Sequence, residues 1–326
     1  MRRTLTIHPD SSLSYYGYYL CGFEQALGRI KLRFSLGDLP ALLGPRDGLA
    51  VITDDGKRIF IAADDTPTIN PEALHWCDVY GKVNLDRSLD ELSRSPKVVP
   101  IGPGFGIRWR SLGHDALYVA RAGAAGGNAF ARPLSRFRAA GKHHRDRVPL
   151  HLYSASVSDP DELFFIATYW SKHTNANPPR QTFVRAVRGM EGLRFQGGLV
   201  GDPDLGTAAQ HRYSMSDYLD RTGRSVVVFN TSAVHGCLGW KLGEFLALGK
   251  AIVTLPIDRE LPEPLVDGVH VHVVDGSAES IVDAITRLRR DNTYRLALER
   301  EAAAYYQRWL HPAVVAGRLL RSGRRP

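Results

Sequence analysis

The chain has 326 residues, of which 44% are hydrophobic and 23% charged, with a net charge of +8. That length and ordinary globular composition suit two domains of about 100–200 residues each, and no apolar run reaches the ~18 residues that would span a bilayer. Three widely spaced cysteines, Cys21, Cys77 and Cys237, form no Cys-x-x-Cys pair, which excludes a disulfide framework or a zinc site and fits thiols in a reducing cytosol.

The opening MRRTLTIHPD carries two arginines but no apolar run behind them, so no secretory signal is expected. LTIHP reads as a first strand stopped at Pro9, and residues 14–28 as a helix with Tyr15, Tyr19 and Phe23 on one face, ending at Gly28. IKLRFSL alternates like a half-buried strand. Residues 48–64 read as a hairpin about Asp55-Gly56. Asn70-Pro71 opens a helix as N-cap and N1, and DVYGKVN and KVVPIGP are short strands. Residues 132–147 then place six Arg or Lys against one Asp, with two His. This run reads as a solvated linker, and the domain boundary is expected near 148: an α/β domain over 1–147 and a second over 148–326.

In the second half, strand and helix patterns alternate every ~10–15 residues, the signature of a doubly wound parallel sheet. The strands are ELFFIATYW, LRFQGGLVG, SVVVFN, KAIVTLP and VHVHVV; the helices are residues 178–191, 214–223 with Ser214 as cap, the one entered near 240, and 277–290 capped by Ser277. Residues 292–323 read as helical with a break at His311-Pro312. No internal repeat is present.

Ligands of such sheets bind beyond the carboxyl ends of the strands. SVVVFN ends at Asn230, and the small-residue loop 231–239, including Thr231, Ser232, His235 and Gly236, leads to a helix N-terminus. There free N–H groups and the positive dipole end suit a diphosphate. Lys241 and Glu244 lie three apart and share a face. The lysine can meet phosphate and the glutamate a ribose diol; the alternative is a Lys–Glu pair on a solvated helix.

The stretch VVVFNTSAVHGCLGWKLGEFLALGKAIVT resembles the donor-binding segment of two-domain GT-B glycosyltransferases. The resemblance covers roughly residues 160–320. It implies two Rossmann-like domains facing a central cleft. It also implies Glu244 on the ribose, Lys241 near the diphosphate, loop 231–236 along the diphosphate and sugar, and final helices that cross back to the first domain. Retaining members often carry two glutamates eight positions apart; eight before Glu244 stands Gly236, so the anomeric outcome stays open.

Other constellations complete the reading. In IGPGFGIR the glycines make either a tight turn or a cleft-facing loop whose Arg108 meets phosphate or an acidic acceptor. His8 and Asp10, at the end of the first strand, are candidate bases for an acceptor hydroxyl, with Asp10 and His235 taken as the catalytic pair and Asp78 as a weaker rival. Lys172, in the loop after the first strand of the second domain, either neutralises phosphate or is solvated. The two Asp-Pro-Asp motifs, 159–161 and 202–204, read as turns rather than metal sites, and His270 and His272 as a pair on a strand.

The expectation is a metal-independent, cytoplasmic glycosyltransferase without cofactor beyond its nucleotide diphosphate-sugar donor. It would act on a glycan or lipid-linked acceptor in polysaccharide or glycoconjugate synthesis. The excess of positive charge suits an anionic partner, and the basic run would contact the anionic inner membrane face. No nucleic-acid motif accompanies the charge. The alternatives are a nucleotide-sugar epimerase of similar fold and a non-catalytic basic protein binding nucleic acid or membrane.

Overall fold

The computed structural model describes all residues except 1, 2, 43, 45, 127–132, 173, 205–212 and 324–326. The chain divides into two compact units. Unit 1 comprises residues 1–152, 260–263 and 308–326; unit 2 comprises 153–259 and 264–307. Both are α/β.

In unit 1, β1 (Arg3–Ile7) leads into α1 (Leu13–Leu27), which stops at Gly28. β2 (Ile30–Phe34), β3 (Leu49–Ile52), β4 (Arg58–Ala62), α2 (Pro71–Trp76), β5 (Val79–Lys82) and β6 (Val98–Pro100) follow. They form a six-stranded sheet in the order β2-β1-β3-β4-β5-β6. β3 alone is antiparallel to its neighbours, as the Asp55-Gly56 hairpin requires. The Asn70 side chain accepts the Ala73 N–H (3.0 Å) and so caps α2. The glycine loop 101–107 is buried. A Cβ on Gly104 would lie 2.8 Å from the Tyr18 ring of α1, so this loop is packing material at that point.

α3 (Leu112–Ala124) and α4 (Pro133–Asp146) close the first stretch of unit 1. Most of the run expected as a linker is therefore a helix of unit 1; its first residue, Arg132, lies outside the described residues. Arg136 of α4 donates to Asp10 (2.8 Å), and His143 Nε2 bonds the Ile107 carbonyl (3.0 Å).

Unit 2 contains β7 (Glu162–Thr168), α5 (Asn177–Arg188), β8 (Arg194–Val200), α6 (Met215–Arg224), β9 (Val228–Asn230), α7 (Trp240–Ala247), β10 (Ile252–Thr254), β11 (His272–Val273), α8 (Ala278–Arg290) and α9 (Asn292–Tyr305). Every strand pair is parallel. The ladders form two groups, β8-β7 and β9-β10-β11, joined by Ser225 and Val226. The Val226 N–H donates to the Glu162 carbonyl (2.7 Å), and the Phe164 N–H donates to the Ser225 hydroxyl (2.9 Å). That hydroxyl in turn donates a hydrogen bond to the Val227 carbonyl (2.6 Å), standing where a backbone ladder bond would. The far ends of β7 and β9 also meet, through Arg180 (below). The strands therefore lie in the order 2-1-3-4-5 within the unit. Phe165, Phe183 and Phe229 fill the core beneath, with Phe183 and Phe229 stacked at 4.2 Å.

Gly249, at φ +57°, ends α7; a Cβ there would sit 3.1 Å from the Ala303 Cβ and 3.3 Å from the Glu299 carbonyl of α9. Just beyond, the Lys250 ammonium is fully buried and donates to Ser158 and to the Gly223 carbonyl (2.7 Å), with the Glu299 carboxylate 3.9 Å away. Burial pushes its pKa down to about 8.

After a π-helical turn at Tyr306–Leu310, α10 (Pro312–Arg321) packs on α1. Among the described residues, no helix is long and apolar enough to cross a membrane. The α1–α10 contact leaves no room at Gly22, where a Cβ would lie 2.1 Å from the Pro312 carbonyl oxygen. Gly22→Ala should therefore destabilise the chain by about 1–3 kcal/mol in urea unfolding. Gly113→Ala on α3 meets open space and should stabilise it by up to about 1 kcal/mol.

Candidate functional site

In a sheet ordered 2-1-3-4-5, the chain leaves the first and third strands in opposite directions, and a crevice opens beyond their carboxyl ends. Unit 2 has a cavity of about 400 Å³ at that place. Its lining comes from the end of β7 (Phe165 to Thr168), Val200 of β8, Phe229 and Asn230 of β9, the loop residues Thr231, Ala233 and Gly239, and Trp240 and Lys241 of α7. Trp170 and Arg180 complete it. The volume falls within the range of small-molecule sites.

Arg180 organises the rim. It stands in the first turn of α5, three residues past Asn177, whose amide braces the loop after β7 through both backbone groups of Trp170 (2.9 and 3.0 Å). The buried guanidinium donates to the Thr168 carbonyl (3.0 Å) and the Thr231 hydroxyl (3.1 Å), with the Ser232 carbonyl at 3.5 Å. These are neutral oxygens. Burial works against the cation and lowers its pKa.

Lys241 is the second cation. Its ammonium lies 5.3 Å from the Phe165 ring centre and 6.0 Å from that of Tyr218, an arrangement that offsets part of the lost hydration. Part of the side chain reaches solvent, yet the ammonium sits among rings, and burial pushes its pKa down to about 8. Glu244 opposes that shift and Arg180 adds to it. No side chain caps the first turn of α7, whose N-cap is Gly239, so its N–H groups add positive potential. The arrangement can hold an anion with several oxygens. Trp170 and Trp240 offer flat apolar walls beside it.

Glu244 is 5% exposed and does not line the cavity. One carboxylate oxygen accepts the Tyr218 hydroxyl (2.8 Å). Burial, reinforced by the Glu244 charge and this bond, holds Tyr218 well above the usual phenol range, so it stays a donor.

Of the residues singled out in the sequence, Asn230, Thr231 and Lys241 meet at the cavity, and Ser232 reaches it through its carbonyl. The Asn230 amide donates to Thr254 (3.0 Å), fixing the end of β9 to β10. His235 and Gly236 are exposed and do not line the cavity. Among the described residues, His235 is the one non-glycine with positive φ (57°), and its carbonyl accepts Arg259 (2.9 Å). Lys172 is exposed beside the same loop as Trp170.

Asp10 and Arg108 belong to unit 1. Asp10 is buried with one oxygen on Arg136, and its backbone N–H donates to His8 Nδ1 (3.1 Å). Burial lowers the His8 pKa against the pull of Asp10. A neutral His8 with Nδ1 occupied carries its proton on Nε2 and has no lone pair left for base chemistry. The half-buried Arg108 is held by its backbone N–H on the Val148 carbonyl (2.9 Å). Asp78 of the weaker base reading accepts the Arg58 N–H (2.8 Å).

Both Asp-Pro-Asp segments are Asx turns: Asp159 accepts the Asp161 N–H and Asp202 the Asp204 N–H, each at 2.9 Å. Among the described residues, no group of three His, Cys, Asp or Glu is placed to hold a metal. His270 and His272 do not act together; the first accepts the Val266 N–H and the second meets the Tyr294 hydroxyl.

Sequence reasoning missed Arg180, Tyr218, Trp170 and Trp240. A signal for Arg180 was present: an arginine twelve residues beyond the end of the first strand of unit 2, directly after Pro178-Pro179, falls in the first turn of a helix that starts at the carboxyl edge.

No family model matches the chain, and no curated protein does. Among solved structures, it aligns with TarM at 7% identity and TM-score 0.48, covering 83% of this chain and 51% of that one. A glycosyltransferase from Rickettsia africae aligns at 12% and 0.43, covering 79% and 68%. Anabaena HepE in complex with UDP-glucose aligns at 13% and 0.43, covering 82% and 71%. The chain thus spans about half the length of TarM.

The Lys241 shift has two consequences of opposite sign. Its folded pKa, about 8, lies below the ordinary lysine value of 10.5. Between those values the folded state binds fewer protons than the unfolded, so this group's contribution to stability rises with pH. Anion binding moves the other way. Sulfate, whose charge is constant in this range, should bind about three- to tenfold more weakly as pH rises through the Lys241 transition, measured by calorimetric titration. Lys241→Met should bind weakly at all pH values and without this slope.

Proposed function

We propose that unit 2 binds a nucleoside diphosphate-sugar and that the chain transfers the sugar to an acceptor hydroxyl. The observation that carries this reading is the convergence of Arg180, Lys241 and the uncapped start of α7 on one cavity at the switch point of a 2-1-3-4-5 sheet. A diphosphate has the charge to satisfy both cations, and Trp170 and Trp240 suit the flat base and the sugar. In the transfer step the diphosphate leaves with extra negative charge, and fixed cations and N–H groups stabilise it without reorganisation.

Thr231, Ser232 and Asn230 shape the floor in this reading, with Gly236 and His235 in the adjoining turn. Glu244 keeps Lys241 protonated at neutral pH. A ribose contact by Glu244 would require its carboxylate to turn from Tyr218. Asp10 is the proposed proton acceptor for the incoming hydroxyl, oriented by Arg136. Arg108 and Lys172 are proposed anion contacts of lesser weight. The acceptor is a glycan or lipid-linked sugar, and the chain works without metal or further cofactor, in the cytoplasm at the inner membrane face.

Melting scans against uridine, guanosine, adenosine and cytidine diphosphates and their sugar conjugates test the donor site. A ligand at about 100 times its Kd should add about 2.7 kcal/mol. Arg180→Ala and Lys241→Ala should each remove most of that gain. Glu244→Gln should weaken binding more at alkaline than at acidic pH, because Lys241 loses the charge that keeps it protonated; an equal loss at every pH would instead mark a ribose contact. Asp10→Asn should lower kcat and leave donor binding intact. A chain that responds to none of these nucleotides contradicts the proposal.

A further inference from the structure

We propose that unit 1 carries a second small-molecule site, between β2 and α3, for an α-amino acid with an apolar side chain. A cavity of about 250 Å³ lies there. β2 is the edge strand of its sheet, and Ile30, Leu32 and Phe34 share one of its faces. α3 faces them across the cavity. Its residues His114, Leu117, Tyr118 and Arg121 follow at three- and four-residue steps and line the cavity as one stripe. Tyr118 fixes the spacing: its ring meets Phe34 edge-on at 4.9 Å, and its hydroxyl donates to the Ser11 carbonyl (2.8 Å). Near the start of β2, Trp109 and Arg110 both donate to Glu24 of α1 (2.9 and 2.6 Å), which neutralises Arg110.

Charges of both signs stand on this apolar lining. Asp115 is 2% exposed; one carboxylate oxygen lies 3.3 Å from His144 Nδ1, and the other has no hydrogen-bond partner among the described residues. Such a buried carboxylate is costly, and burial raises its pKa against the pull of His144, His114 and Arg108. Lys31 and Arg121, both exposed, line the cavity without an acidic partner among the described residues. Arg121 lies six residues beyond Asp115, about 9 Å along the helix axis, and a long helical side chain leans back toward the helix start. A purely cationic ligand would meet Lys31 and Arg121, and a purely anionic one would meet Asp115. A zwitterion satisfies both: its ammonium donates to Asp115, its carboxylate accepts from Arg121 and Lys31, and its side chain lies among Leu32, Phe34 and Leu117. The volume is below that of drug-sized sites and suits a ligand as small as one amino acid. This inference stands on unit 1 and is independent of the donor site.

Calorimetric titration of the full chain with L-leucine and L-phenylalanine tests it. At least one should bind saturably at millimolar concentration or below. Isocaproate, which is leucine without its ammonium, should bind about tenfold more weakly than leucine, and Asp115→Asn should cost leucine as much. Leucinamide, which lacks the carboxylate, and the variant Arg121→Ala should each lose about three- to tenfold. Arg121 is exposed, so its variant should keep the parent melting temperature. The isocaproate comparison tests the Asp115 contact on the unaltered chain if Asp115→Asn does not fold. Absence of binding by both amino acids would overturn the inference. So would isocaproate binding as tightly as leucine, or leucine binding that neither variant alters. Nucleotide titrations on the same variants should match the parent, and each overturning result leaves the donor reading untouched.

Discussion

Two cations share one partly buried cavity in unit 2, and most of the unit is arranged around that fact. Arg180 is surrounded by neutral oxygens at the ends of two strands, and Lys241 lies against aromatic faces. Arg180 raises the cost of charging Lys241. Glu244 offsets part of this from behind, where Tyr218 holds it. The site therefore carries electrostatic stress that a bound polyanion would relieve. Such preorganisation has a cost in stability, and under the proposed function it would benefit affinity, because the cations would not have to be gathered when the ligand arrives.

The cavity exists because of how β7 and β9 meet. At their starts, the Ser225 hydroxyl relays a hydrogen bond between Phe164 and Val227. At their ends, Arg180 ties Thr168 to Thr231. Between these fastenings the strands are joined by side-chain and aromatic contacts, with Phe165 and Phe229 beneath the cavity. The helices that follow, α5 and α7, start from this edge and contribute Arg180 and Lys241. The site is thus a product of topology first and of particular side chains second.

Local signals made much of the fold legible. Gly28 ended a helix, Asn70, Ser214 and Ser277 began others, and Asp55-Gly56 turned a hairpin. The α/β class followed from the alternation of strand and helix patterns. The candidate site was half legible. The loop 231–239 and Lys241 could be found because they follow a β-branched run in sequence. Arg180 and Tyr218 could not be paired with them, since 51 residues separate Arg180 from Thr231 and 26 separate Tyr218 from Glu244. Glu244 looked like a ligand because its spacing from Lys241 shows a shared face; burial and a phenol partner are not visible in spacing.

α4 was misread for a related physical reason. Hydrophobic periodicity assumes that the buried side of a helix is its apolar side. Here the buried side is polar, and its anchors, Pro9, Asp10, Ile107 and Asp115, come from distant parts of unit 1. A segment with outward leucine and phenylalanine and inward arginine and histidine therefore looks like solvated chain. Arg136 also orients Asp10, so the contact that fixes the outward face of α4 fixes the candidate base as well. Any force that tilts this helix would act on Asp10 through one ion pair. The inverted polarity is stable because each inward polar group has a partner, and a buried polar group with a partner costs little. Among the described residues, Leu134 and Phe137 on the outward side remain 72% and 40% exposed.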